Sequence, residues 1–202
     1  MKTKVKTNSL ILASSSKQRL GLLNQMNVSP GLIVSPDINE SPNKKELPKQ
    51  YSIRMAQSKV HSVRKSYPDY FILSADTVVS CGRRVLPKTE TKQEVEKCIR
   101  LLSGRRHRVY TTVCLLTPND SVHIKSTITI IKFKRLTEQE ISNYLLSNQW
   151  SGKAGGCNLQ GIAGMFILWL RGSYFSAIGL PLYETYCLLS QYGLLKDSIV
   201  DI

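Results

Sequence analysis

The spacing of apolar positions divides the chain into alternating strands and helices. The apolar run Leu10–Ala13 predicts a short buried strand, and the hydroxyls of Ser14, Ser15 and Ser16 follow where a helix begins. Similar apolar runs predict further strands over residues 31–34, 70–79, 107–118, 126–136 and 165–170. Apolar residues three or four positions apart predict helices after residue 16, around 53–63, around 95–102, over 137–146 and from 181 to about 193.

The order of these elements predicts an α/β fold, with a mixed twisted sheet and flanking helices. Strands that alternate with helices favour parallel pairing. The strands over 107–118 and 126–136 flank a short polar turn, so we expect them to form an antiparallel hairpin that makes the sheet mixed. No repeat or linker divides the chain. We expect residues 1–202 to form one domain, with a basic tail at 1–9 and a C-terminal tail at 194–202.

Length and composition exclude several classes of protein. A chain of 202 residues with 42% hydrophobic residues can bury the core of one domain, which excludes intrinsic disorder. The longest apolar stretch is far below the roughly 20 residues of a transmembrane helix, and the apolar run near the N-terminus is shorter than a signal-peptide core. The five cysteines are odd in number and form no CxxC pair, which favours reduced thiols. We therefore expect a cytoplasmic protein without a membrane partner.

The charge of the chain favours anionic partners. The 28 Lys and Arg residues exceed the 14 Asp and Glu residues, so the formal net charge is +14. A field of that sign attracts polyanions, which makes nucleotides and nucleic acid candidate ligands. Basic runs such as residues 105–108 either contact phosphate or form a solvated face.

One carboxylate stands out in the predicted strand over residues 70–79. Asp76 interrupts an apolar run, and burying a carboxylate costs free energy unless a partner compensates it. In α/β proteins, ligands bind at the ends of strands. Asp76 is therefore a candidate metal ligand or general base, or else a turn or cap residue, and the residue types alone leave these alternatives open.

A run of serines lies where the first helix is predicted to begin. Ser14 and Ser16, followed by Lys17 and Arg19, would place hydroxyls, backbone N–H groups and cations at a helix N-terminus. That arrangement suits a phosphate. The alternative is an ordinary serine cap followed by solvated charges.

A glycine-bearing loop over residues 152–164 is a second candidate ligand site. It contains Lys153 and Gln160, and its glycines permit a close approach of the backbone to a ligand. The alternative is that the glycines only satisfy local turn geometry. The three histidines, including His107, are too dispersed for a metal triad, and we expect them to be surface or structural residues.

Seven short segments occur in a fixed order between Leu10 and about Gly193: LILASSSKQR, INE, YSIRMAQSK, ADTVV, SGRRHRVYTTV, KAGGCNLQG and GSYFSAIGLPLYET. Together they resemble the Maf family of nucleotide pyrophosphatases. The resemblance implies an α/β enzyme with two lobes around a central cleft, often dimeric. Such an enzyme uses a divalent metal, Mg²⁺ or Mn²⁺, to convert a nucleoside triphosphate to the monophosphate and pyrophosphate. The family has also been linked to septum formation and division arrest.

The resemblance also implies roles for individual residues. Asp76 corresponds to the catalytic base and, together with Glu40, to a metal ligand. Thr77 and Gln160 resemble the branch of the family that prefers dTTP and UTP. Further substrate contacts are implied for Ser14, Ser16, Arg19, Lys59, Lys88 and Lys153. The chemistry agrees, because cations neutralise a triphosphate while a carboxylate activates water.

Several positions depart from the family pattern. Lys17 and Gln18 stand where the serine motif usually has a proline and its first arginine, so one cation expected to contact the substrate is missing. These departures keep a second hypothesis open, a catalytically weakened member that acts through interactions in cell division. A third is a basic protein that binds nucleic acid, which only the net charge supports.

The motifs around Lys88 and in the glycine-bearing loop also depart from the family pattern. Pro87 and Thr89 flank Lys88, where the family usually shows Gly-Lys-Pro, and Gly152 and Cys157 replace an aspartate and an aromatic residue. Proline fixes its own backbone and restricts its predecessor, so we expect Lys88 to approach the site at a different angle. We expect the other two changes to loosen the glycine-bearing loop.

Overall fold

In the structure, a computed structural model that describes residues 10–195, seven β-strands form one mixed sheet. The strands are β1 (Leu10–Ala13), β2 (Leu32–Val34), β3 (Phe71–Cys81), β4 (Arg84–Leu86), β5 (Arg106–Leu116), β6 (Val122–Phe133) and β7 (Ile167–Arg171). Their order is β2-β1-β3-β5-β6-β7, and β4 pairs with β3 outside this path. β1 is parallel to β2 and β3, whereas the other pairs are antiparallel. The predicted mixed α/β sheet is confirmed.

Helices cover both faces of the sheet. They are α1 (Lys17–Gln25), α2 (Pro48–Arg64), α3 (Lys92–Leu102), α4 (Glu138–Leu146), α5 (Tyr174–Ala177) and α6 (Leu182–Ser190). On α2 the predicted apolar stripe packs Ala56, Val60 and Val63 against one face. Side chains of α1, α3, α4 and α6 form the larger apolar core on the opposite face.

Side-chain caps fix where several helices begin. The hydroxyl of Ser16 accepts a hydrogen bond from the backbone N–H of Arg19 at 3.4 Å, so the predicted serine cap of α1 is present. Thr137 and Glu140 form a reciprocal capping box at the start of α4. The polar residues that precede these helices therefore satisfy backbone donors that would otherwise lack partners.

Two predicted boundaries near the C-terminus are wrong. The strand predicted over 165–170 begins only at Ile167, because Ile162–Phe166 form a 3₁₀ helix. The ring of Phe166 is buried there against two other aromatic rings, and this packing outweighs the local strand pattern. The final helix, predicted to about residue 193, ends at Ser190.

The sequence pattern also misplaced the start of one strand and did not reveal two short elements. β6 begins at Val122, earlier than the predicted residue 126, because the hydroxyl of Thr117 bonds Ser121 and closes a tight turn. β4 and α5 were not predicted. They span three and four residues, which is too short to show a periodicity. Of the predicted tails, 1–9 and 196–202 lie outside the described residues, whereas Leu194 packs in the core.

A gap in the sheet lies between β1 and β4. β1 pairs with β3 at residues 71–73, and β4 pairs with the same edge of β3 at residues 79–81. Among the described residues, the stretch 74–78 of β3 therefore has no strand partner on that edge. Because β1 ends at Ala13, the serines that follow it border the gap. Side chains from both faces of β3 can reach the same opening there.

Candidate active site

A cleft with a volume of about 520 Å³ lies at this gap. Most residues implied by the family resemblance line it: Ser14, Ser16, Arg19, Glu40, Lys59, Thr77, Lys88 and Lys153. Asp76 and Gln160 are not among the lining residues. Each of them contacts a lining residue, Lys59 and Gln18 respectively. The fold therefore gathers in one place residues that are far apart in the sequence.

A buried ammonium group joins the two candidate carboxylates. Lys59 extends from α2, and its Nζ lies 2.6 Å from Oδ1 of Asp76 and 2.9 Å from Oε1 of Glu40. Asp76 and Lys59 are only 6% and 4% exposed, so their contact is shielded from water. A charge-assisted hydrogen bond of this length in a shielded place holds both groups in fixed positions.

Glu40 also pairs with a second cation, Lys88. Partial burial opposes ionisation of Glu40, but the hydrogen bond from Lys88 and the nearby charge of Lys59 outweigh it and lower its pKa to about 2. Glu40 therefore carries a negative charge at neutral pH. The predicted change in the approach of Lys88 does not remove it from the site, since its ammonium reaches Glu40 directly.

The guanidinium of Arg19 is fixed by three separate elements. It donates to the hydroxyl of Ser14 after β1 at 3.2 Å, to the hydroxyl of Thr77 on β3 at 3.4 Å, and to the carbonyl of Gly179 at 3.0 Å. Burial lowers the pKa of Arg19, while the charges of Asp76 and Glu40 raise it, and an arginine stays charged in proteins. The first turn of α1 therefore presents a rigid cation to the cleft.

The sheet gap lets neighbouring residues on β3 serve one site. Asp76 points to the face covered by α2, where it meets Lys59, whereas Thr77 points to the other face, where it meets Arg19 and Thr111. Successive strand residues alternate between faces. Because that edge of β3 is open, Thr77 can line the cleft while Asp76 contacts the lining residue Lys59.

Backbone hydrogen bonds tie the glycine-bearing loop to the segment around Thr89. The N–H of Gly152 donates to the carbonyl of Thr89 at 2.9 Å, and the N–H of Thr89 donates to the carbonyl of Lys153 at 3.2 Å. The expected loosening at Gly152 stays a prediction. The hydroxyl of Thr89, fully buried, also bonds the carbonyl of Trp150 at 3.1 Å. Gly152 has a φ of 66°, which glycine adopts without strain. Two of the departures from the family pattern thus help to fasten the loop.

A bridge through Gln18 was missed at the sequence level. Its Oε1 accepts a hydrogen bond from Nζ of Lys153 at 3.1 Å, and its Nε2 donates to Oε1 of Gln160 at 2.7 Å. Gln18 stands where the family usually has an arginine, and it connects α1 to the glycine-bearing loop. No local pattern could reveal this, since the partners are 135 and 142 residues away.

Two further lining residues were given no role by the sequence analysis. His107, expected to be a surface or structural residue, is buried and borders the cleft. The sequence signal for this position is the spacing of His107 and Val109. They lie two residues apart on β5, so both side chains point to the same face of the sheet. Burial raises the pKa of the Cys157 thiol, which argues against a thiolate nucleophile.

The donor set suits a divalent cation that binds together with a phosphate. Within residues 10–195, no three His, Cys, Asp or Glu side chains cluster closely enough to hold a metal by themselves. Asp76 and Glu40 nevertheless offer two carboxylates at one point. Mg²⁺ is commonly bound by one or two carboxylates plus substrate phosphates, so these residues fit such a cation. The site as a whole offers a carboxylate beside several cations, which can stabilise a polyanionic ligand and accept a proton.

Comparison with known proteins finds relatives that match most of this chain. A family model described as "Maf-like protein" matches residues 9–192. The dTTP/UTP pyrophosphatase of Wolbachia sp. subsp. Drosophila simulans (strain wRi) is 66% identical over 186 residues, which cover 92% of this chain and 94% of that protein. The nucleoside triphosphate pyrophosphatase of Ehrlichia chaffeensis (strain ATCC CRL-10679 / Arkansas) is 63% identical over 188 residues, covering 93% and 98%.

A solved structure shares the fold. The HAM1 protein from Coxiella burnetii superposes with a TM-score of 0.50 and 16% sequence identity, covering 90% of this chain and 98% of that chain. At this identity the likeness supports the architecture alone. In the described part of the chain, none of the helices has the length and apolar character needed to cross a membrane.

Proposed function

The chain belongs to the Maf family, and on that premise we propose that it is an enzyme that hydrolyses nucleoside triphosphates to the monophosphate and pyrophosphate. The observation that carries the proposal is the buried contact of Asp76 with Lys59 at the edge of a cleft lined by cations. Such a cleft matches a substrate that carries several negative charges and is attacked by water.

The cations would hold the triphosphate in place. Arg19 is fixed by three hydrogen bonds, and Lys88 and Lys153 line the cleft from two neighbouring segments that are joined by a bridge between Lys88 and Ala154. Fixed cations that require no rearrangement stabilise the charge that develops on the leaving pyrophosphate. Lys88 and Lys153 would also orient the phosphates, which is the larger part of catalysis in phosphoryl transfer.

Asp76 would act as the general base. Its Oδ1 is occupied by Lys59, and no donor in the described part of the chain bonds its Oδ2. Oδ2 would accept a proton from water as the water oxygen forms a bond to the α-phosphorus. The bond from that phosphorus to the bridging oxygen breaks, and pyrophosphate leaves with the electron pair. No covalent enzyme intermediate is required.

A divalent cation, Mg²⁺ or Mn²⁺, would be held by Asp76 and Glu40 together with substrate phosphates. When bound, it would supply positive charge that neutralises the phosphate oxygens and favours attack by water. Lys59 already contacts both carboxylates, so it would keep their oxygens in place while they share their charge with the cation.

The proposed substrates are dTTP and UTP. The Wolbachia relative is named for them, and Thr77 and Gln160 resemble the corresponding branch of the family. We expect purified protein with Mg²⁺ or Mn²⁺ to release monophosphate and pyrophosphate from dTTP or UTP. The rate with these two should exceed that with ATP, GTP or 7-methyl-GTP about tenfold or more, which one or two pocket contacts can supply. Product separation with distinct assays for pyrophosphate and orthophosphate checks this.

Absence of turnover in folded protein would contradict the enzyme proposal. It would favour the weakened family member that acts through interactions in cell division. Binding to DNA without any turnover would favour the nucleic-acid hypothesis instead. Release of orthophosphate rather than pyrophosphate would place the attack at a different phosphorus and so contradict the mechanism.

The Gln18 bridge leads to a second prediction. Gln18→Arg removes the acceptor of Lys153 and brings a like charge beside it, so we expect the KM for UTP to rise about fivefold, the equivalent of one lost hydrogen bond. Gln18→Leu is the matched comparison, because it removes the acceptor for Lys153 and the donor to Gln160 without adding a charge to the cleft. Steady-state kinetics measures both. A lower KM in Gln18→Arg would show that the arginine of the family contacts substrate better than the bridge does.

The proposal also includes the cellular compartment, the oligomeric state and the cellular role that the family resemblance implies. All five cysteines are free thiols in the structure, which suits a reducing compartment such as the cytoplasm. A homodimer and a role in septum formation are expected from the resemblance alone. The exposed apolar side chains Leu168 and Trp169 on the edge strand β7 would suit contact with a second copy.

A further inference from the structure

One face of the sheet is open to solvent near the start of β5. Thr112 of β5 meets α2 on this face, because its hydroxyl lies 2.8 Å from the hydroxyl of Ser52. Alternate residues of a strand point the same way, so Arg106 and Arg108 lie on the same face as Thr112. Both arginines are exposed, so the helix covers the end of β5 near Thr112 but not its beginning.

The strand register extends this open surface across β6 and β7. Cross-strand pairing places six residues in two neighbouring rows: Arg106, Lys132 and Trp169 in one, and Arg108, Ile130 and Arg171 in the other. Neighbouring strands lie about 4.8 Å apart and the two rows roughly 7 Å apart, so these side chains form one continuous surface, the β5–β7 face. The side chain of Trp169 is 44% exposed within it, so an aromatic ring lies among cations.

The positive charge of the β5–β7 face has no acidic counterpart nearby in the sequence. The strands β5, β6 and β7 contain no Asp or Glu. Within residues 10–195, the guanidinium groups of Arg106, Arg108 and Arg171 form no salt bridge. Exposed cations without acidic partners create a positive potential that attracts polyanions.

The positive surface continues beyond the end of the sheet. The Nζ of Lys132 donates to the carbonyl of Gly104 at 2.6 Å. Gly104 lines a shallow depression of about 420 Å³ together with Arg105 and Arg135, while its third arginine, Arg100, is already paired with glutamates. An extended polyanion on the β5–β7 face would therefore meet further cations along its path.

We propose that the β5–β7 face binds single-stranded nucleic acid, in addition to the hydrolysis proposed for the cleft. The arginines would contact phosphates, and Trp169 would stack on an unpaired base. Bases within a duplex are already stacked and paired, so the indole would select a single strand. The cleft is not part of this surface, because the β5 residue Val109 lines it from the opposite face of the sheet. The basic run at residues 105–108 thus gains a contact with phosphate.

The charge of the β5–β7 face disfavours a second copy of the chain as its occupant. In a twofold contact the same surface meets itself, so the cations of one copy would face the same cations of the other without an acidic partner. Leu168 points to the other face of β7, since it precedes Trp169 on the strand. A second copy can therefore contact Leu168 and leave Trp169 free for a base.

Trp169→Ala tests the stacking contact with a fluorescein-labelled oligouridylate of about 12 nucleotides, within the usual site size for single strands. We expect its affinity, measured by fluorescence anisotropy, to fall about tenfold, as for the loss of one stacked base. Trp169→Phe should keep most of the affinity. Binding should quench the fluorescence of Trp169, which is separable from Trp150 because that ring is only 3% exposed. UTP hydrolysis should be unchanged in both variants.

Arg106→Ala tests the contact with phosphate. We expect the slope of log affinity against log salt concentration to become shallower by about 1, the effect of one lost phosphate contact. Lys125→Ala is the matched control, because it removes an exposed cation from the opposite face of β6. Its affinity and its salt slope should match those of the wild type.

Several results would overturn the proposal. Wild-type protein that does not bind the oligonucleotide at about 0.1 M salt would exclude it, and a duplex bound as tightly as the single strand would exclude stacking on Trp169. Loss of binding in Arg19→Ala but not in Trp169→Ala would place the oligonucleotide in the cleft. A changed oligomeric state of Trp169→Ala in light scattering, with unaltered oligonucleotide affinity, would assign the face to a second copy. UTP hydrolysis is measured separately, so the proposed function stands or fails independently.

Discussion

Asp76→Asn is expected to reduce kcat for UTP about a thousandfold, because loss of a general base removes a factor of about 10² to 10⁴ in rate. The amide is nearly the size of the carboxylate, and its oxygen can still accept the hydrogen bond from Lys59 that the structure shows at 2.6 Å. It cannot take a proton from water, however. Steady-state kinetics with product separation measures the loss.

The control for Asp76→Asn is Glu138→Gln, which neutralises a surface carboxylate paired with Arg100 far from the cleft lining. We expect its kcat and KM to match those of the wild type. Circular dichroism must show that Asp76→Asn remains folded. If folded Asp76→Asn kept activity within tenfold of the wild type, Asp76 would not be the base and the mechanism would be wrong.

Lys59→Met is expected to lower the free energy of unfolding by about 3–5 kcal/mol, the cost of leaving a buried charge without its partner. Asp76 is 6% exposed and loses the cation that holds it, and Glu40 loses one of its two cations. Methionine matches the length of the lysine stem, so the effect reports the charge rather than the packing. Urea denaturation measures the change, and activity should also be lost.

A double-mutant cycle of Lys59→Met and Asp76→Asn separates the effect of charge pairing on stability from other effects of the two substitutions. Lys59→Met combined with Asp76→Asn removes both buried charges, and we expect it to recover part of the stability but none of the activity. Lys88→Met is the control, because that side chain is 55% exposed and its pair with Glu40 should contribute less than about 1 kcal/mol. If Lys59→Met were no more destabilising than Lys88→Met, the buried contact would not stabilise the fold.

Local signals in the sequence predicted several helices and strands correctly. The apolar stripe of α2, the serine cap of α1 and the hairpin of β5 and β6 each have a signal within a short stretch of sequence, and each was predicted. The misplaced start of β7 shows the limit. Its preceding residues follow a strand pattern, yet burial of Phe166 against distant rings decides their conformation.

By itself, the sequence determined the α/β class, the family resemblance and the identity of the candidate residues, because these depend on local periodicity and on short motifs. Only the tertiary structure decided how the residues meet. The gap between β1 and β4 opens both faces of β3, so that Thr77 lines the cleft and Asp76 contacts the lining residue Lys59. The tertiary structure alone also decided that Gln18 bridges Lys153 and Gln160, and that the buried nitrogens of His107 have no hydrogen-bond partner in the described structure. These features arise from strand order and register, which bring together residues that no local pattern connects.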